Sequence, residues 1–190
     1  MIIKNSVVVL VTLSFAMVCF VSNSLGFSNV IYTSLKSSDC FTPSKIINDR
    51  YVDKELSVQE CPAPKGWRLF SVASDERSWL DLMSDDKVYS TESIVVYNNQ
   101  FGNFPNIGSE KAEWHISNDG TVRVLIFRIS AQDPSLTASN SGVKNLSKLF
   151  VIKFLDQKAS FCGVSTTNTG ARDLAQKSKV CVELSGEKVR

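Results

Sequence analysis

Residues 7–21 are apolar at every position except Thr12 and Ser14. The short stretch before them carries one charge, Lys4, and the stretch after them ends in the small-x-small triplet Ser24-Leu25-Gly26. This layout predicts a secretory signal peptide over residues 1–26, cleaved after Gly26, with a single domain over residues 27–190. A retained anchor would need roughly 20 apolar residues, more than this run supplies. A lipidated Cys19 would want a small residue before it, where Val18 stands.

Beyond the leader the period of the pattern is mostly two, which marks half-buried strands. Ile31, Tyr32 and Leu35 suggest a first strand, and residues 37–53 read as a polar loop around Pro43 and Asn48-Asp49. Residues 56–60, 67–72, 78–83 and 93–97 read as strands, separated by Pro62, Pro64 and Gly66, by Asp75-Glu76-Arg77 and by Asp85-Asp86. Residues 98–109 and 131–147 read as loops, the second long and mobile. Between them, residues 113–117 and 121–129 flank Asn118-Asp119-Gly120, whose Asp-Gly pair suits a tight hairpin turn. TVRVLIFRI (121–129) is apolar on nearly both faces and so belongs in the middle of a sheet. LFVIKFL (149–155) reads as another central strand, turning at Asp156-Gln157 into residues 158–164. One segment has a helical period: Ala171, Leu174 and Ala175 in residues 169–177, with Asn168 or Thr169 as cap and Lys177 and Lys179 at the end that favours positive charge. The fold class expected is mainly β, a single antiparallel sheet domain of barrel or sandwich form, with one short C-terminal helix.

Charge narrows the partners. Of 21 basic residues one lies in the leader, leaving 20 against 19 acidic ones, scattered along the chain. A balance near +1 is no electrostatic footprint for nucleic acid. Four cysteines survive cleavage, Cys40, Cys61, Cys162 and Cys181. An even number in an exported chain predicts disulfides, and Cys40–Cys61 with Cys162–Cys181 is the pairing favoured, since each closes a loop of about 20 residues. Zinc would want a C-x-x-C or several histidines, and His115 is the only histidine.

Several motifs are similar to a group of uncharacterised exported proteins of alphaproteobacteria: Tyr32-Thr33-x-Leu35 ahead of Cys40, Cys61-Pro62-x-x-x-Gly66-Trp67-x-Leu69, Asp75-x-Arg77-x-x-Leu80, Glu110-Lys111-Ala112-Glu113-Trp114 and Ala171-Arg172-x-Leu174-Ala175. The resemblance spans most of the mature chain. It implies a periplasmic address and carries no activity or catalytic residues with it.

No residue set demands a chemistry. His115 could act as a base, but no G-x-S-x-G elbow accompanies it. The acids Asp75, Glu76, Asp81, Asp85 and Asp86 could serve a glycosidase or hold calcium, yet acids bordering strands usually form a solvated rim. Trp67, Trp79 and Trp114 read mainly as core. Phe101 and Phe104, in a loop rich in Asn and Gly, are the candidates for partner contact, with Trp114 near them, and Asp75 with Arg77 is a second candidate.

The function expected is a non-enzymatic binding module of the cell envelope, meeting an unidentified envelope protein or polymer. It would need no cofactor, bind no nucleic acid and keep no stable membrane insertion after cleavage. The alternatives are a small-ligand carrier with an internal cavity, or a hydrolase of wall or carbohydrate material using Asp75, Asp81 or His115. Amino-terminal sequencing of the exported protein should begin at or near Phe27. Recovery of a chain that still starts at Met1 from a reducing cell interior would contradict this reading at its root.

Overall fold

A computed structural model describes residues 29–98, 102–136 and 144–189. The leader and Phe101 lie outside the described residues. In chain order the elements are β1 (Asn29–Ser34), α1 (Lys45–Val52), β2 (Ser57–Cys61), β3 (Arg68–Ser74), β4 (Arg77–Ser84), β5 (Lys87–Ser90), a π-helical turn (Ser93–Tyr97), β6 (Asn103–Ile107), β7 (Lys111–Ile116), β8 (Val122–Gln132), β9 (Asn145–Leu155), β10 (Lys158–Ser165), α2 (Asn168–Lys177), β11 (Val182–Glu183) and β12 (Gly186–Lys188). The strands form two antiparallel sheets. One has the order β1-β7-β8-β9-β10-β11, with β6 also paired to β8, and the other has the order β12-β5-β4-β3-β2. Of the two shapes expected, the sandwich is the one that forms.

Short turns set the register of the hairpins. Asp75, Asp85 and Asp156 open the turns after β3, β4 and β9 with φ of +49°, +51° and +48°, a region that aspartate tolerates better than most side chains. Gly120 (φ +80°) completes the turn between β7 and β8.

The inner faces of the sheets pack on each other. Leu69, Leu80 and Leu82 of the smaller sheet meet Trp114, Leu125, Phe127, Phe150 and Ile152 of the larger in one apolar core. Trp67 lies 4.2 Å from Phe154, ring centre to ring centre, and Phe154 stacks on Trp114 at 6.1 Å. The outer faces are apolar too. β8 therefore buries Val124 and Ile126 on its outer side, together with Leu149 and Val151 of β9, beneath Ala171 and Ala175 of α2. Burying side chains of this size stabilises the fold by about 1.5 to 3 kcal/mol each. Thr167 caps α2 by accepting from the Gly170 N–H (3.0 Å). Lys153 donates to the Ser178 carbonyl at the other end (2.8 Å).

The outer face of the smaller sheet has its own cover, and here the structure departs from the sequence pattern. Residues 37–53, expected as a loop, contain α1. Its Ile47 and Tyr51, four residues apart, are buried, with Tyr51 against Phe70. Residues 93–97, expected as a strand, wind into the π-helical turn. Val95 is buried there, and the Thr91 carbonyl accepts from the amides of Ile94 and Val95. The loop expected at 98–109 holds β6, which crosses between the sheets: Ile107 N–H donates to the Ser78 hydroxyl of β4 (2.8 Å). Of the loop expected at 131–147, residues 131–132 belong to β8 and residues 145–147 to β9, and residues 137–143 lie outside the described residues.

Both expected disulfides form, Cys40–Cys61 and Cys162–Cys181. The first encloses α1 and the second encloses α2, so each tethers a helical cover to a strand. Two such bonds fit an oxidising compartment. Among the described residues no helix is long and apolar enough to cross a membrane. Replacing Cys40 and Cys61 together by alanine should lower the unfolding free energy, read from urea titration, by about 3 kcal/mol. An unchanged midpoint would mean that α1 needs no tether.

Candidate functional site

The smaller sheet's outer face does not close completely under α1. Between α1, β4, β5 and the π-helical turn lies a recess of about 230 Å³, with Tyr51, Trp79, Asp81, Ser90 and Tyr97 among its walls. Trp79 and Asp81 are two residues apart on β4 and so point the same way. Their register partners, Val72 and Phe70, share that face. Tyr51 reaches Asp81 from the helix: its hydroxyl donates to Oδ2 at 2.8 Å.

Two polar atoms here are buried without a partner. Asp81, only 3% exposed, has no hydrogen-bond donor on Oδ1, and Trp79, 1% exposed, has no acceptor for Nε1–H. Leaving such groups unpaired typically costs about 1 to 3 kcal/mol each. Burial pushes the Asp81 carboxyl up to about 6, although the Ser90 and Tyr51 hydroxyls and the Thr91 amide partly offset it. Burial, then the charge of Asp81, raises the Tyr51 hydroxyl above its ordinary range. Tyr51 therefore stays protonated and remains a donor. At the rim Arg50 pairs with Glu187, and Tyr97 donates to Glu92 (3.2 Å).

The residues singled out by sequence are dispersed. Trp114 is wholly buried in the inter-sheet core, with its Nε1–H donating to the Thr33 hydroxyl at 2.8 Å. Asp75 and Arg77 form a local turn: the Arg77 amide donates to Asp75 Oδ1 (3.1 Å), and Arg77 Nη2 lies 3.5 Å from Oδ2. Phe104 is 40% exposed and sits where the β6–β8 register shifts, at φ +48°. Tyr97, 70% exposed, ends the π-helical turn that packs beside β6. It was not foreseen as a site residue, since it read as the end of a strand.

A second cluster lies on the outer face of the larger sheet. His115, 3% exposed, places Nε2 at 2.7 Å from Glu113 Oε1. Arg172 of α2 grips the same carboxylate with Nε and Nη2 (2.8 and 2.9 Å), and the Tyr32 hydroxyl donates to it as well (3.1 Å). Burial alone would raise the Glu113 carboxyl, but hydrogen bonds from His115 and Arg172 and the Arg172 charge outweigh it and hold it at about 2. The carboxylate is committed to structure, and the arrangement clamps α2 onto β1 and β7. The four described cysteines are all oxidised, so none of them is a thiol nucleophile for His115.

Comparison with protein-family models, with curated proteins and with solved structures finds no match.

The Asp81 carboxyl titrates near 6 in the folded chain and near 3.9 when unfolded, so the folded state holds the proton more tightly. The stability it confers is complete below about pH 4 and is lost as pH rises through 6, up to about 3 kcal/mol in all. Urea midpoints measured at pH 4 and pH 7 should show this fall in the wild type, and Asp81→Asn should abolish it. An equal fall in the variant would remove Asp81 as its source.

Proposed function

We propose that the mature chain is an exported, non-enzymatic binding module of the cell envelope. It meets its partner through the exposed rings of Tyr97 and Phe104 and the recess beside Tyr97. One observation carries this reading: Phe104 holds a left-handed backbone with its ring partly in water. A bulky residue at φ +48° costs roughly 1 to 3 kcal/mol, and strain of that kind gathers at ligand clamps and binding loops. Tyr97, 70% exposed and seven residues earlier in the chain, adds a second exposed aromatic ring. Such rings supply contact area at low entropic cost and dominate many interfaces.

The remaining features favour contact over catalysis or internal transport. The inter-sheet space, where a carrier would keep its ligand, is filled by Leu69, Leu82, Trp114, Phe127 and Phe150. Asp75 and Asp81 lie on different features, a solvent-facing turn and a buried sheet face, and do not form a carboxylate pair. The periplasmic address rests on the leader pattern, the two disulfides and the resemblance to exported alphaproteobacterial proteins.

The test is capture by the immobilised mature chain from an envelope extract of the cells that export it. Tyr97→Ala/Phe104→Ala should retain the wild-type urea midpoint to within about 0.5 kcal/mol, as surface changes do, and should lose most of the captured material. Equal capture by the double variant would rule out these two rings. Steady release of cleaved product from captured material would replace the binding module with an enzyme.

A further inference from the structure

The recess over β4 also carries information about ligand chemistry. Just beneath its floor lie one unpaired acceptor, Asp81 Oδ1, and one unpaired donor, Trp79 Nε1–H, both closed off from bulk water on the same strand face, so that a ligand meets them by parting the side chains above. A ligand group that reaches them must both give and accept hydrogen bonds. An apolar group leaves both unsatisfied, at about 1 to 3 kcal/mol each. An anion meets the Asp81 carboxylate, and an ammonium ion satisfies the carboxylate but turns a second donor toward the indole N–H. A hydroxyl does both jobs with one atom.

The rim extends the same logic. The Ser90 hydroxyl and the carboxylates of Glu92 and Glu187 offer further partners around the opening, and the exposed Tyr97 ring stands beside them. A flat apolar ring next to several hydrogen-bonding groups suits a cyclic polyol, which has C–H faces and hydroxyl edges. The volume, about 230 Å³, is below the roughly 300 to 1,000 Å³ of sites for drug-sized ligands, and so fits one ring rather than a chain of them.

We propose that this recess binds a single neutral sugar ring, whose hydroxyls donate to Asp81 Oδ1 and accept from Trp79 Nε1–H while Tyr97 covers one face. This rests on the binding-module reading above and names the class of ligand the recess takes. The ring could be free or the terminal unit of an envelope glycan, and the chemistry at the floor is the same.

The experiment follows the indole N–H resonances of the folded, oxidised mature chain labelled with ¹⁵N. Trp79 is assigned by the signal lost in Trp79→Phe. The chain is titrated with glucose, galactose and N-acetylglucosamine, with short oligosaccharides ending in each, and with methylammonium and acetamide. At least one sugar should shift the Trp79 signal saturably and leave those of Trp67 and Trp114 in place. Asp81→Asn, shown to be folded by its urea midpoint, should weaken that sugar at least tenfold, and so should Trp79→Phe, followed by ligand-observed saturation transfer. Tighter binding of an oligosaccharide than of its free terminal sugar identifies a glycan end; equal binding identifies the free ring. No saturable shift with any sugar, or a response to methylammonium or acetamide alone, overturns the proposal. If capture that depends on the two aromatic rings persists in that case, only the ligand class has failed; if capture is also independent of Tyr97 and Phe104, the binding-module reading fails with it.

Discussion

Both sheets of this protein are apolar on both faces, and that single constraint organises the rest. A sandwich normally solves the problem of one apolar face per sheet by pressing two sheets together. Here Val124, Ile126, Leu149 and Val151 face away from the sandwich core, as do Phe70, Val72 and Trp79 on the other sheet. Each outer face therefore needs a lid. α2 closes one and α1 the other, giving four layers in the order helix, sheet, sheet, helix. Both helices are short, 8 and 10 residues, too short to persist by propensity alone. They hold through packing and through a disulfide that shortens the unfolded loop around each.

The strands were readable where local chemistry and global packing agree. The Asp-Gly turn and its flanking β-branched runs gave a hairpin, and TVRVLIFRI was central because it is apolar on nearly both faces. The cysteine pairing followed from spacing. The failures are of one kind. KIINDRYV has β-branched, Asn and Asp residues that suit a helix poorly, and only Ile47 and Tyr51 at i and i+4 hint at the face that packs. SIVVY has high strand propensity, yet it turns helically because Thr91 supplies the carbonyl and Val95 the buried anchor. In both places tertiary contacts override local preference, as strand propensity in particular allows.

The candidate site was legible only in part. Asp81 was visible as an acid in a strand, and acids in strands are usually solvated. The signal against that reading is the company it keeps: Trp79, Asp81 and Met83 alternate on one face of β4, and two large apolar neighbours imply a covered face. Without α1 in hand, that cover could not be inferred. Phe104 was recognised from an aromatic ring in a loop of small polar residues, whereas its left-handed backbone is a property of the folded chain. Trp114 shows the opposite case, an aromatic beside a conspicuous hairpin that serves the core through Phe154 and Thr33.

Because each lid is enclosed by its own sulfur bridge, reduction bears on both covers at once. With those two bonds open, α1 and α2 hang on longer, looser tethers, and each cover is weaker by about 3 kcal/mol.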